Sequence, residues 1–244
     1  MRRRSQYRRR SAGAADDAKQ RPDPAAQLIA PDYWQPELTE LLAQTRQWGV
    51  RCDSGSLERL GLYCSELARW SARVNLVSRR EIGQLVSKHV AASLGVFLVE
   101  DHREGEKWLD IGTGGGLPGM IVKLCRLKLP IVLVESSRKK TVFLEEIRDK
   151  LQLADVAVVW SRVEEYGNDA FSVMLMRAVA PLSASFPLID ALAGSGTRLL
   201  TYKGPAWEKE LASAKPTMQR LGWRFVSMTQ VPWTTSRILK FTKS

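Results

Sequence analysis

The stretch Asp110-Ile111-Gly112-Thr113-Gly114-Gly115-Gly116-Leu117-Pro118-Gly119 holds the residue types best suited to chemistry in this chain. An acidic residue is followed by five glycines in eight positions, with Pro118 where a helix can start. Without a Cβ, a glycine backbone turns sharply and comes close to a ligand. Trp108 and Leu109 lead in as an apolar strand, and a second apolar run ends at the acidic Glu135. Strand, glycine turn, helix, strand and acid form the nucleotide-binding half of a doubly wound α/β fold. A turn made for its own sake needs only one or two glycines, so a bound nucleotide is the better account.

Two cofactors compete for this turn. Gly114 to Gly119 satisfies G-x-G-x-x-G, and Glu135 follows about 20 residues after its first glycine, as an NAD ribose binder does. A nicotinamide-dependent oxidoreductase therefore fits formally. Asp110 weighs against it, because a carboxylate at the end of the strand repels a pyrophosphate. It attracts the ammonium and sulfonium of S-adenosylmethionine, which has no phosphate. With Gly112, Gly114 and Gly116, Asp110 also fills the pattern D/E-x-G-x-G-x-G of proteins that bind that cofactor. Glu135 suits the ribose diol of either.

The elements around the turn follow from periodicity. From Pro36 to about Val99 the apolar spacing is helical. Leu38, Leu41, Leu42 and Thr45 mark one stripe. Leu57, Leu60, Tyr63, Cys64, Leu67 and Trp70 mark a second, with Asp53 and Ser54 as cap-like residues. Val74 to Ser78 reads as a loop, and Ser78 and Glu81 have capping-box spacing before a third helix running to about Val99. Trp48 and Trp70 are expected to pack this helical region. Strands are expected at Lys107–Ile111, Ile131–Glu135, Val156–Trp160, Ser172–Met176, Arg198–Tyr202, Arg224–Gln230 and Arg237–Thr242. Helices fit between them at Gly119–Leu127, Lys139–Leu151, Leu182–Leu192 and Trp207–Leu221. The last two strands leave no room for a crossover helix and must form an antiparallel hairpin. That ending suits a methyltransferase sheet better than a dinucleotide-binding one.

Bulk properties narrow the partners. At 244 residues, with 44% hydrophobic and 26% charged residues, the chain is long and apolar enough for one core. No run approaches the ~20 apolar residues of a membrane span, so no membrane partner is expected. The three cysteines lie far apart without close-spaced histidines, which suggests free thiols in a reducing compartment and no metal site. The net charge is +11. Residues 1–22 carry eight Lys/Arg against two Asp and so supply about half of it. That basic stretch reads as disordered. It acts either as a solubilising tail or as a non-specific contact for RNA phosphate.

Beyond the turn, several segments resemble one family. DIGTGGGLPGM, LVESSRKKTVFLEEI, SRVEEY, MRAVAPL and YKGP occur in order, preceded by RWSARVNLVS and KHVAASL. This set resembles the glucose-inhibited division protein B (RsmG-type) family, over roughly residues 57–202. Members methylate N7 of a guanine in 16S ribosomal RNA with S-adenosylmethionine. The resemblance implies a class I methyltransferase fold: a Rossmann-like, mostly parallel seven-stranded α/β sheet ending in an antiparallel hairpin, with an N-terminal helical subdomain. The parts would be a basic extension at 1–35, the helical subdomain at 36–100 and the cofactor-binding domain at 101–244. It also places Gly112 and Leu117 in the cofactor turn, Glu135 at the ribose, Val163 and Glu164 at the adenine, and Arg177 at the site from the end of the fourth strand. Two departures are visible: where the family has RH-x2-DS, this chain has Lys88, His89, Ala92 and Ser93, and the Arg-rich N-terminal extension is not a feature expected of the family.

Guanine N7 has an in-plane lone pair and no proton, so its methylation needs alignment rather than a general base. Accordingly no catalytic residue is assigned. The segment after the fourth strand, Arg177 to Leu182, lacks the N/D-P-P-Y/F motif of amine-methylating enzymes, and Cys125 is better placed as a buried thiol than as a nucleophile. Arg138 and Lys139 open a helix against its dipole, and Lys203 ends the fifth strand, so these three are candidates for RNA phosphate. His89, among apolar neighbours, reads as a satisfied structural group. The expected partner is 16S rRNA or the small subunit, for a monomeric cytoplasmic enzyme; a methyltransferase for another RNA or a small molecule is the nearest rival.

Overall fold

The computed structural model describes residues 28–167 and 170–244, so most of the basic extension expected at 1–35 lies outside the described residues. Helices α1 (Gln35–Arg46) and α2 (Ser56–Ser71) come first, and α3 (Ala91–Leu94) is a short α-helical stretch in the segment that follows. The α/β part then runs β1 (Trp108–Ile111), α4 (Gly119–Cys125), β2 (Ile131–Glu135), α5 (Arg138–Lys150), β3 (Val156–Trp160) and β4 (Phe171–Arg177). It continues through α6 (Leu182–Ile189), β5 (Ala193–Lys203), α7 (Trp207–Arg220), β6 (Trp223–Gln230) and β7 (Arg237–Lys243).

The seven strands form one sheet in the order β3-β2-β1-β4-β5-β7-β6. β1 to β5 pair in parallel, and β7 is antiparallel to both neighbours. This is the mostly parallel sheet with a terminal hairpin that the sequence implied. Chain order runs outward in both directions from β1 and β4. Their carboxyl ends therefore border the switch point where such sheets bind ligands. Gly112 follows one end and Arg177 closes the other.

Alternation along the strands sorts side chains onto two faces. Trp108, Ile131, Leu133, Val173, Leu175 and Tyr202 face α2, α4 and α5 in one continuous core with Leu60, Leu67, Phe143 and Leu144. Each such fully buried leucine or phenylalanine contributes about 1.5–3 kcal/mol. Leu109, Ile111, Val134, Met174 and Met176 face the other way, against α6 and α7. Below the site, buried Glu100 ties the helical layer to the sheet through Arg198 of β5 (2.8 Å) and Lys240 of β7 (3.0 Å).

The helical region differs from its sequence pattern in four places. The expected helix from Glu81 to Val99 is a relay: a 3-10 turn at Ile82–Gln84, a π turn at Leu85–Val90, α3, then a 3-10 turn at Gly95–Leu98. A π turn inserts a residue and shifts the phase of the stripe, so Leu85, Val86, Val90 and Ala91 are all buried. α2 is preceded by Gly55 (φ 72°), not capped by Asp53 or Ser54. The Asp53 carboxylate instead accepts the Leu127 amide at 2.9 Å, beyond the end of α4. Ser78 Oγ donates to the Glu81 side chain (2.9 Å), whose other oxygen takes Lys88, so the capping box is not made. Trp48 is 56% exposed, whereas Trp70 packs on Phe143 with ring centroids 5.8 Å apart.

Candidate functional site

The glycine turn is held by a buried carboxylate. Asp110 is fully buried; its Oδ2 accepts Thr113 Oγ1 at 2.6 Å and the Gly119 amide at 2.8 Å, which joins the start of the turn to the start of α4. Gly119 is required by proximity: a Cβ there would lie 2.6 Å from Asp110 Oδ2 and 2.7 Å from Leu133 Cδ2. Glu135 clamps from the neighbouring strand, accepting the Gly114 amide (2.9 Å) on one oxygen and the Ser137 amide (2.8 Å) on the other. From the helical layer, the Tyr63 hydroxyl donates to Gly115 O at 2.7 Å. Gly112, Gly114 and Gly116 have φ of 62°, 59° and 94°, the left-handed region that suits glycine. Leu117 is buried in the helical-face core beneath the turn.

Burial pushes the Asp110 carboxyl up to about 7, against the pull of Thr113, Gly119 and the Arg177 charge. Its second oxygen, Oδ1, is buried and has no hydrogen-bond partner among the described residues. The site therefore contains an acceptor that its own surroundings leave unused.

At the end of β4, Arg177 points to the same face. Its guanidinium lies over the Tyr202 ring, 5.6 Å from the centroid, and Nη2 is 3.1 Å from His89 Nδ1. Arginine can only donate, so His89 Nδ1 accepts and the ring proton sits on Nε2. Burial and the Arg177 charge push His89 down to about 4, which keeps it neutral. Its Nε2 lies 3.6 Å from Glu81 Oε2, too far for a hydrogen bond. Arg177 Nη1 is likewise buried and unpartnered among the described residues. His89 is thus only half satisfied, and it belongs to the site rather than to the packing alone.

A cleft of about 230 Å³ opens on the opposite face of the strand ends. It is lined by Ile111 and Gly112 after β1, Val134 and Ser136 at the end of β2, Ser161 to Glu164 after β3, and Val179, Ala180 and Leu188 beyond β4. Gly112, Val163 and Glu164 thus meet in this cleft. Asp110, Glu135 and Arg177 approach from the helical face, and the two sets adjoin at the glycine turn and at the end of β2. Val179 sits so close over Gly112 that a Cβ there would lie 2.9 Å from Val179 Cγ2. Sequence reasoning omitted Ser136, Ser161, Arg162 and Val179. The first three adjoin named residues at strand ends, a signal that could have found them; Val179 is found only from the fold.

The three candidate phosphate contacts are not gathered at one place. Arg138 pairs with Glu145 (3.1 Å) and stacks on Trp160. Lys139 is exposed at the start of α5. Lys203 is half-buried, paired with Glu210 (2.8 Å) and donating to Ala180 O (2.9 Å), which braces the loop after β4. No group of three or more potential metal ligands occurs among the described residues. No described helix is long and apolar enough to cross a membrane.

Comparison with known proteins adds an independent line. Residues 56–237 match the family model described as GidB, rRNA small subunit methyltransferase G. A Roseiflexus castenholzii protein named "Ribosomal RNA small subunit methyltransferase G" is 35% identical over 199 residues, covering 80% of this chain and 85% of that protein. A protein of the same name from Pelodictyon phaeoclathratiforme is 36% identical over 170 residues, 68% of this chain and 73% of its own length. Among solved structures, a mutant of MtNAS in complex with S-adenosylmethionine superposes with TM-score 0.53 at 14% identity, over 86% of this chain and 98% of that one. The ribosomal protein L11 methylase of Lactobacillus delbrueckii gives 0.51 at 14% identity, over 63% and 77%. These two likenesses speak to the fold.

Gly119→Ala forces a methyl group against Asp110, and overpacking of this kind costs about 1–3 kcal/mol. A lower urea midpoint with unchanged m-value is expected; an unchanged midpoint would show that the turn is not so constrained. His89 has a folded pKa of about 4, below its ordinary 6.5, so the unfolded chain takes up the proton first. Its contribution is therefore lost as pH falls from 6.5 towards 4, by about 2 kcal/mol at pH 5. Asp110 titrates in the opposite sense, so the quantity to measure is the difference between wild type and His89→Gln. That difference should shift in favour of the variant between pH 7 and 5.

Proposed function

The chain belongs to the small-subunit rRNA methyltransferase G family, and on that premise we propose that it methylates N7 of a guanine in 16S ribosomal RNA using S-adenosylmethionine. One observation carries the cofactor site: two buried groups of opposite sign at the switch point, Asp110 Oδ1 and Arg177 Nη1, have no partner among the described residues. A buried polar group left unpaired costs about 1–3 kcal/mol, more when charged. The ammonium and carboxylate of an amino acid are the complementary pair, and S-adenosylmethionine carries both.

The other residues follow from this. Glu135 has acceptor capacity beyond the two amides it holds and would take the ribose hydroxyls. The cleft containing Gly112, Val163 and Glu164 would hold the adenine. Gly114, Gly116 and Leu117 shape the turn. When bound, the cofactor supplies an activated methyl group on a sulfonium. The protein's task is then to align an RNA base with that methyl and to exclude water. His89 suits this division of labour: its lone pair is used by Arg177, so it orients a side chain and does not act as a base. N7 needs no base, which supports that atom over an exocyclic amine. Arg138 and Lys139 remain candidate contacts to the RNA backbone. We place this activity in the cytoplasm, with a monomeric enzyme acting on rRNA or the small subunit.

S-adenosylmethionine should raise the melting temperature and NAD should not, because a ligand of the folded state stabilises it. The reverse result would defeat the cofactor assignment. Below about pH 7 Asp110 takes a proton and must release it to receive an ammonium. Cofactor affinity measured calorimetrically should therefore weaken by up to about tenfold per pH unit. Asp110→Asn should bind weakly with a flat profile. Ribosomal RNA from a strain lacking the gene should lose one N7-methylguanine; an unchanged set of modified nucleosides would remove the rRNA assignment.

A further inference from the structure

The loop between α2 and the helical relay, residues 72–81, reaches the site at two places. At its middle, Leu76 packs on the glycine turn: a Cβ at Gly115 would lie 3.5 Å from Leu76 Cβ. At its end, Glu81 lies 3.6 Å from His89, which holds Arg177 at 3.1 Å. Residues 77–80 therefore span from the turn after β1 to the end of β4, along the edge where the switch point opens. Arg73, Arg79 and Arg80 on this loop are all exposed. No described residue accepts a hydrogen bond from their guanidinium groups or forms an ion pair with them. The one carboxylate at the loop's end, Glu81, is already engaged by Lys88 and Ser78. Of the other cations near the strand ends, Arg138 pairs with Glu145 and Lys203 with Glu210, whereas Lys139 and Arg162 are exposed without an ion pair among the described residues.

We propose that Arg79 and Arg80, with Arg73, form a rim that grips phosphates of the RNA strand beside the target base. The inference rests on the assignment of RNA as substrate and names the surface that receives it. Guanidinium groups are well matched to phosphate, since their forked donors meet two oxygens at once. Unpaired surface arginines give up little on binding, because no internal ion pair has to break. Because Leu76 on the same loop packs on the turn, phosphates held here would lie close to the bound methyl donor. Such contacts position the strand and carry no base specificity.

The test uses the full-length protein with Arg79→Ala/Arg80→Ala and a triple variant adding Arg73→Ala. Binding to 16S rRNA and to small subunits is measured across a salt titration, beside methyl transfer and cofactor binding. Each lost phosphate contact lowers the log–log salt slope by about 0.7–0.9, so the double variant should lose about 1.4–1.8. KM for RNA should rise at least tenfold and by more than kcat falls, with melting temperature and cofactor affinity unchanged. Arg79→Lys/Arg80→Lys should keep most of the slope. Equal slopes and KM in wild type and double variant would overturn the rim. Salt-dependent rRNA binding by a wild type that transfers no methyl would instead defeat the proposed activity, while the slopes still judge the rim.

Discussion

A single buried carboxylate organises this protein. Asp110 ends β1 inside the core, out of reach of water, and bonds both to the threonine of the turn and to the first amide of α4. Those bonds close a ten-residue excursion into a compact loop in which Gly112, Gly114 and Gly116 take left-handed conformations. Burying an acid is costly, and the raised pKa of Asp110 expresses that cost. One oxygen shapes the turn, while the other has no partner among the described residues. Gly119 must lack a side chain for the arrangement to exist, which gives the Leu117-Pro118-Gly119 ending a steric reason.

The helical layer is part of the site. Tyr63 holds Gly115 from α2, Leu76 presses on the same glycine, and His89 steers Arg177 from the π turn. π turns are rare, and here one places a histidine against the arginine that ends β4. The apolar contacts of this layer run without a break into the sheet. Substrate and cofactor surfaces can thus be built from both parts and still hold one geometry.

Much of this was legible in the residues. Asp110, the glycine spacing and Glu135 marked the turn and the acid that clamps it, and the missing crossover between the last two strands revealed the hairpin. Strand cores were located well because apolar runs bounded by turn residues have few alternatives. The helical region was read less well. Its stripes showed that helices exist, but a phase shift such as the π turn looks like noise in a periodic pattern. Trp48 shows the same limit, since an aromatic at helical spacing packs only if something faces it. His89 looked like a core residue because its partner lies 88 positions away.

What the sequence determined by itself is local: which segments are strands, where the backbone must be free of side chains, and which acids terminate β1 and β2. Those properties depend on a few adjacent residues and on the period of the chain. Only the tertiary structure decided which groups go unsatisfied. That Asp110 and Arg177 each keep a buried polar atom without a partner among the described residues depends on every neighbour that fails to reach it. The division of the site between two faces of the sheet, and the contrast between the unpaired Arg73, Arg79 and Arg80 and the paired Arg138 and Lys203, have the same origin. Burial, pairing and pKa are set by surroundings assembled from distant parts of the chain.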